Sequence, residues 1–140
     1  MRPSKLAMKI SAMGVPLIAI LAAAPVRAEE IVVIVNLAAA PISRQQVADL
    51  YLAKSSILTP IDQAESSPIY VEFYKKATGR DGAQVKTIWS RVLFTCRGVP
   101  PKQLADSAAV KRAVAANPKA VGYIEKSAVD ASVKVALPLN

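Results

Sequence analysis

Histidine is absent from the sequence, and cysteine and tryptophan each occur once. The lack of histidine excludes histidine-based catalytic triads, the usual general base at neutral pH and most transition-metal sites, so we expect no metal and no cofactor. A single thiol, Cys96, cannot close a disulfide within the chain. Its position beside Phe94, at the end of an apolar helix pattern, predicts a buried side chain that packs as a small hydrophobe.

Acidic residues are also few, with 10 Asp and Glu against 18 Lys and Arg. General acid–base catalysis needs groups held in mutual geometry, and no carboxylate is spaced to pair with a nucleophile or a base. We therefore expect no enzyme. A hydrolase would have to draw on Asp62, Glu65, Glu72 or Asp81.

The first 28 residues have the pattern of a secretory signal peptide. Basic residues precede an apolar stretch over 10–24, which ends in Pro25-Val26-Arg27-Ala28 with small or apolar residues where signal peptidase requires them. The stretch is shorter than the ~20 residues of a membrane span. We predict a signal peptide over 1–28 and a periplasmic domain over 29–140.

Cleavage after residue 28 would lower the net charge of the protein. The whole chain has a net charge of +8, but four of its bases leave with the signal, and 14 bases against 10 acids give +4. The remaining bases are scattered rather than clustered, and a nucleic-acid surface requires clustering. We expect no nucleic-acid partner.

After residue 28 the apolar pattern alternates between strand and helix. Ile31–Val35 is a continuous β-branched run, typical of a strand buried on both faces. Further strands are predicted over Leu58–Gln63, Ala120–Ile124 and Val133–Leu137. Strands separated by helices favour an α/β fold in which a sheet is layered with helices.

Four helices are predicted between these strands. Capping-box spacing indicates starts at Ser43 and Asp81, Ser67-Pro68 indicates another, and Asp106 or Ser107 a fourth. The third helix has the strongest apolar period, which predicts a buried face. That face comprises Val85, Ile88, Trp89, Val92 and Leu93.

Candidate ligand-binding residues follow from these boundaries. Ser66 and Ser67 are predicted at a helix N-terminus, where free amides and hydroxyls can bind an anion, although plain capping explains one serine. Asn36 ends the first strand, at a position where open α/β sheets place ligands, although a turn residue is the simpler interpretation. Ser43 begins the next helix and is the fourth candidate.

Several segments resemble phosphate transporter substrate-binding proteins. Ser43–Lys54 resembles a helix of that family, and Asn117–Ile124 resembles its "threonine–proline–glycine–alanine–isoleucine–glycine–tyrosine–valine" stretch. Between them, Ser66-Ser67-Pro68, Trp89-Ser90 and Phe94–Gly98 are similar to the short, single-lobe members of the family. The family's glycine-rich, serine- and threonine-bearing phosphate loop has no counterpart here.

The resemblance implies one lobe of a type II periplasmic binding protein. Its function would be that of an extracytoplasmic solute-binding module that binds phosphate or a similar oxyanion weakly, in transport or sensing. The partner would then be a membrane transporter or another envelope protein. The alternative is a periplasmic interaction or adaptor protein that keeps the fold and binds no ligand.

Overall fold

The computed structural model describes Gly14 and residues 30–139. The predicted signal peptide, Gly14 apart, lies outside these residues together with its cleavage site. These residues form five strands, four α-helices and one 3-10 turn at Lys126–Ala128. The bounds of the strands and α-helices are β1 Ile31–Val35, α1 Arg44–Tyr51, β2 Thr59–Gln63, α2 Tyr70–Thr78, α3 Gly82–Phe94, β3 Lys102–Leu104, α4 Ser107–Ala116, β4 Ala120–Glu125 and β5 Lys134–Leu139. The predicted α/β class is confirmed. In the described part of the chain, no helix is long and apolar enough to cross a bilayer.

The strands form one sheet in the order β3-β2-β4-β1-β5. β2 runs parallel to β3 and β4, whereas β1 runs antiparallel to both β4 and β5. β1 is therefore the one reversed strand of this sheet. All four other strands end at the same edge, here called the carboxyl edge, and β1 ends at the opposite one.

β1 is buried along its whole length because helices cover both faces of the sheet. Alternate side chains of a strand point to opposite faces. Ile31, Val33 and Val35 pack in the larger core beneath α1, α2 and the first half of α3. Val32 and Ile34 pack in the smaller core beneath α4. The predicted layering is confirmed, and the continuous β-branched run is its sequence signal.

Most helix boundaries agree with the capping signals. Ser43 and Asp81 each accept a hydrogen bond from the third helical amide and complete a capping box. Asp106 caps α4. Gly79 ends α2 with a φ of 71°, a left-handed conformation that glycine adopts without steric cost.

The predicted helix start at Ser67-Pro68 is wrong. α2 begins at Tyr70 after a turn, its N-cap residue Ile69 has helical dihedrals, and no side chain caps it. The Ser67 carbonyl accepts the Tyr70 amide, and the Ser67 hydroxyl donates elsewhere. A Ser-Pro pair also starts a β-turn, and here the turn is the outcome.

The predicted buried face of α3 is only partly correct. Val85 is buried and Ile88 and Trp89 pack against the larger core, but Leu93 is 49% exposed. The apolar period of α3 predicts which face of the helix packs inward, but it does not predict how much of that face other elements cover. The prediction for Cys96 is wrong for the same reason, because it follows the uncovered end of α3 and is exposed.

The three-residue strand β3 was not predicted from the sequence. Its residues are polar or only partly buried, and Pro100 and Pro101 precede it. It pairs along one side with β2 as an edge strand. Such a short edge strand has no alternating apolar pattern by which a sequence would reveal it.

We expect Gly122→Ala to destabilise the protein. A Cβ at Gly122 would lie 2.6 Å from Cγ1 of Val110 and 3.2 Å from Cγ2 of Val114, because α4 packs directly on β4 there. Overpacking of this kind costs about 1–3 kcal/mol. The free energy of unfolding from chemical denaturation measures the cost.

The matched control for that substitution is Gly98→Ala, where the nearest atom to the added Cβ lies at 3.5 Å. Gly98→Ala should leave the free energy of unfolding nearly unchanged. Combining Gly122→Ala with Val110→Ala should cost less than the two single changes together, since the second change removes the clashing methyl groups. Simple additivity would contradict the contact.

Candidate functional site

A cleft of about 470 Å³ opens at the carboxyl edge, beside the ends of β2 and β4. The turn before α2 forms one wall with Ser66 and Ser67, and the first turn of α4 forms the other. Gln63 and Glu125, the last residues of β2 and β4, lie between these walls. Ligand sites of open α/β sheets lie at this edge.

Hydrogen bonds join the polar side chains of the cleft into a chain. The Ser67 hydroxyl donates to Oε1 of Gln63 at 2.7 Å. Nε2 of Gln63 donates to Oγ of Ser107 at 2.9 Å and to the Tyr123 carbonyl at 3.0 Å. The Ser107 hydroxyl in turn donates to the Glu125 carboxylate. Gln63 is 1% exposed, so this chain of bonds fixes the cleft floor.

The charged groups of the cleft are both acidic. Asp106 and Glu125 line it, and no Lys or Arg does so among the described residues. Asp106 accepts the amide of Ala109 at 2.8 Å and so occupies one donor of α4. The amides of Ser107 and Ala108 belong to the first turn, which has no acceptor within the helix. The cleft therefore combines outward-facing donors with a carboxylate acceptor.

The structure separates the four predicted ligand residues. Ser66 and Ser67 lie together in the cleft at the carboxyl edge. Asn36 follows β1, whose last residue Val35 pairs with Val121 near the start of β4, so Asn36 lies at the opposite edge. The reversed direction of β1 causes this separation.

The side chain of Asn36 is already bound within the fold. Its amide nitrogen donates to the carbonyls of Val114 and Ala115, each at 3.0 Å, and its oxygen accepts the Ala38 amide. These contacts satisfy carbonyls at the C-terminal end of α4. A ligand role for Asn36 stays a prediction, and its observed contacts are structural.

Ser43 is likewise remote from the cleft. Its hydroxyl accepts the Gln46 amide at 3.2 Å as the cap of α1. Next to it, Nη1 of Arg44 donates to the carbonyl of Lys76, near the C-terminal end of α2. The cleft lies at the other end of α2, about 13 Å away along a nine-residue helix.

Sequence reasoning missed Gln63, Ser107 and Glu125 as members of the cleft. Gln63 and Glu125 are polar residues that end buried strands, which is the signal that would have indicated them. For Ser107 the sequence predicts a helix cap, and nothing in it indicates a place in a cleft. Within the described residues, no group of three Cys, Asp or Glu side chains is placed to hold a metal ion.

A buried carboxylate lies just behind the cleft floor. Asp62, 3% exposed, accepts hydrogen bonds from the hydroxyl of Tyr74 at 2.5 Å and from the hydroxyl of Tyr123. Burial raises the pKa of Asp62, and the two tyrosine hydrogen bonds oppose that rise. Burial, together with the charge of Asp62, raises the pKa of Tyr74 and of Tyr123 far above their ordinary range.

Comparison with solved structures identifies the fold. An ABC-type phosphate transport receptor from Vibrio cholerae aligns with a TM-score of 0.57 and 19% identity over 76% of this chain and 45% of its own length. A putative phosphate ABC transporter substrate-binding protein from Clostridium perfringens, with bound phosphate, aligns with a TM-score of 0.59 and 19% identity over 76% of this chain and 44% of its own. No protein-family model and no curated protein sequence matches.

The chain thus shares the α/β fold of these two structures and spans less than half of their length. At 19% identity the likeness extends to the fold. The predicted fold class is confirmed, and the resemblance to phosphate transporter substrate-binding proteins is confirmed at that level.

We expect Asn36→Ala to lower stability without affecting the cleft. The change leaves two carbonyls at the end of α4 without their buried donor, at a cost of about 1–3 kcal/mol. Chemical denaturation measures the loss, and amide NMR spectra should show shifts near α4's C-terminal end. Unchanged stability would contradict the capping role. The control is Ser132→Ala, an exposed turn residue that should have little effect.

We expect stability to fall as pH rises past about 10, the ordinary pKa of tyrosine. Burial raises the pKa of Tyr51, Tyr74 and Tyr123 in the folded state, so the unfolded chain loses these protons first. The stabilisation is complete below pH 10 and is lost above it, by about 1.4 kcal/mol per pH unit for each such tyrosine. Denaturation midpoints at several alkaline pH values test this.

Tyrosinate absorbance supplies the internal control for the alkaline experiment. Burial raises the pKa of Tyr70 to about 12, a smaller rise than for the other three. Tyr70 should therefore ionise first in the folded protein, and the others only on unfolding. Ionisation of all four near pH 10 without unfolding would refute the buried tyrosine cluster.

Proposed function

We propose that this chain is an extracytoplasmic solute-binding module that binds a small, proton-bearing oxyanion weakly at the carboxyl-edge cleft. The observation that carries the proposal is the set of donors at the ends of β2 and β4, opposite the Glu125 carboxylate. One of the two solved neighbours has bound phosphate, which supports the ligand class.

The donors come from both walls. Ser66 contributes a hydroxyl, and the first-turn amides at Ser107 and Ala108 lie at the positive end of the α4 dipole. Ser67 donates to Gln63 and holds its wall in place. Oxyanion oxygens would accept from the open donors without disturbing the hydrogen-bonded floor.

The Glu125 carboxylate favours a ligand that carries a proton. A fully ionised anion such as sulfate has no proton to offer and would meet a carboxylate at close range, which is unfavourable. Monohydrogen or dihydrogen phosphate carries a proton that Glu125 can accept in a charge-assisted hydrogen bond. The cleft therefore favours phosphate over sulfate.

Affinity should be low, since no basic side chain lines the cleft and a single lobe leaves the ligand open to water. We expect a dissociation constant of ~0.1–1 mM, corresponding to roughly 4–5.5 kcal/mol. A module of this kind fits a transport or sensing role alongside an envelope partner.

Phosphate and sulfate titrations followed by amide NMR test the proposal. Phosphate should shift the amides of residues 64–70 and 105–109, and sulfate at equal ionic strength should not. The double change Ser66→Ala, Ser67→Ala should abolish the shifts. Ser43→Ala, a serine cap outside the cleft, is the matched control and should leave them intact.

The substitution Glu125→Gln tests whether the carboxylate causes the preference for phosphate over sulfate. It removes the acceptor charge and should abolish the preference for phosphate over sulfate. Equal shifts from both anions in the unaltered protein would contradict the role of Glu125. Flat spectra up to tens of millimolar phosphate would contradict oxyanion binding itself.

The second candidate is an adaptor that keeps the fold and binds no small ligand. It is favoured by an apolar surface at the end of α3, where Phe94 is 91% and Val99 77% exposed. The adjoining groove of about 610 Å³ contains Lys54, Arg97 and Lys102 and no acid. Exposed apolar surface of this kind is typical of contact with another macromolecule. Flat titration spectra would favour this candidate.

A further inference from the structure

A separate recess of about 240 Å³ lies on the other face of the sheet, between α2, α3 and β3. Tyr70 and Tyr74 of α2 and Trp89 of α3 form aromatic walls, and Asp62 lies at its base. Glu65 and Lys86 stand at its mouth. None of these residues lines the oxyanion cleft.

The base of the recess holds a buried carboxyl group without a basic partner. Asp62 accepts from Tyr74, from Tyr123 and from the Gln63 amide, all of them neutral donors. In the described part of the chain, no salt bridge includes Asp62. Burial of a carboxylate without a counter-ion is unfavourable, as the raised pKa of Asp62 reflects.

The walls offer ring faces with fixed orientation. The ring centroids of Tyr70 and Tyr74 lie 5.0 Å apart at an angle of 58°. Nε1 of Trp89 donates to the Tyr51 carbonyl at 3.0 Å, which holds the indole in place. The faces of such rings attract cations within about 6 Å of the centroid.

The mouth of the recess is closed by a weak ion pair. Nζ of Lys86 lies 2.8 Å from Glu65, and both side chains are about half exposed. Pairs of this exposure contribute little to stability, so Lys86 leaves at small cost. An incoming cation would then meet two carboxylates, Glu65 at the mouth and Asp62 at the base.

We propose that this recess is a binding site for a small alkylammonium ion, held between the rings of Tyr70 and Trp89 with its charge toward Asp62. The combination of aromatic walls and an uncompensated carboxylate recognises organic cations through ring faces and Coulomb attraction. A neutral molecule of the same shape gains only the apolar contact. An anion is opposed by both carboxylates.

Fluorescence of Trp89, the one tryptophan of the chain, reports occupancy directly. Tetramethylammonium chloride should produce a saturable change in Trp89 emission. tert-Butanol, a neutral molecule of similar size, should produce no saturable change, and neither should sodium chloride at equal ionic strength. Responses of equal size to the cation and to either control would overturn the proposal.

Substitutions at the mouth locate the site without disturbing the core. Lys86→Met removes the competing cation and should tighten binding about threefold, the range expected for an exposed ion pair. Glu65→Gln should weaken it by a similar factor. The matched control Lys75→Met, on the exposed side of α2, should leave it unchanged. Equal affinities for Lys86→Met and Lys75→Met would overturn the assignment to this recess.

Substitutions in the wall and at the base of the recess test the two groups that would contact the cation. Tyr70→Leu keeps the apolar volume but removes the ring face, and it should abolish the saturable response. Asp62→Asn should do the same if it folds, which far-UV circular dichroism establishes. Folded Tyr70→Leu protein that binds tetramethylammonium as tightly as the unaltered chain would overturn the proposal, because the Tyr70 ring would then contribute nothing.

Discussion

The hydrogen bonds from Tyr74 and Tyr123 to the buried carboxylate of Asp62 join three separate elements of the fold. They tie α2 and β4 to β2 at the middle of the sheet. Phe73 stacks on Tyr123 with centroids 3.7 Å apart, so the same residues also form the aromatic centre of the larger core. Removing the carboxylate would leave two buried hydroxyls without an acceptor, and a buried donor without an acceptor is destabilising.

The position of the cleft follows from that arrangement. Once Asp62 fixes β2 against α2, the next residue, Gln63, turns its side chain toward the opposite face. There it bonds Ser67 and Ser107 and joins the turn before α2 to the start of α4. The buried carboxylate and the exposed cleft are therefore consecutive positions of one strand. A shift of β2 by a single residue would exchange them.

Local sequence patterns predicted the helices and strands, and the direction of each strand determined which residues lie close together in the fold. The β-branched run of β1 predicted a strand buried on both faces, and the capping boxes at Ser43 and Asp81 predicted two helix starts. No local signal indicates that β1 runs against its neighbours. That reversal places Asn36 at the edge opposite Ser66. The predicted ligand site, which was based only on where strands and helices end, therefore combined residues from both edges of the sheet.

The basic and acidic side chains of the protein lie in different places. The groove with Lys54, Arg97 and Lys102 lies at the start of β2 and β3, whereas the charged residues that line the cleft at their far ends, Asp106 and Glu125, are both acidic. A positive net charge therefore draws anions toward the protein but not into the cleft. Under the proposed function, selection would come from a proton that the ligand itself supplies to Glu125, because the neutral donors alone do not distinguish one oxyanion from another.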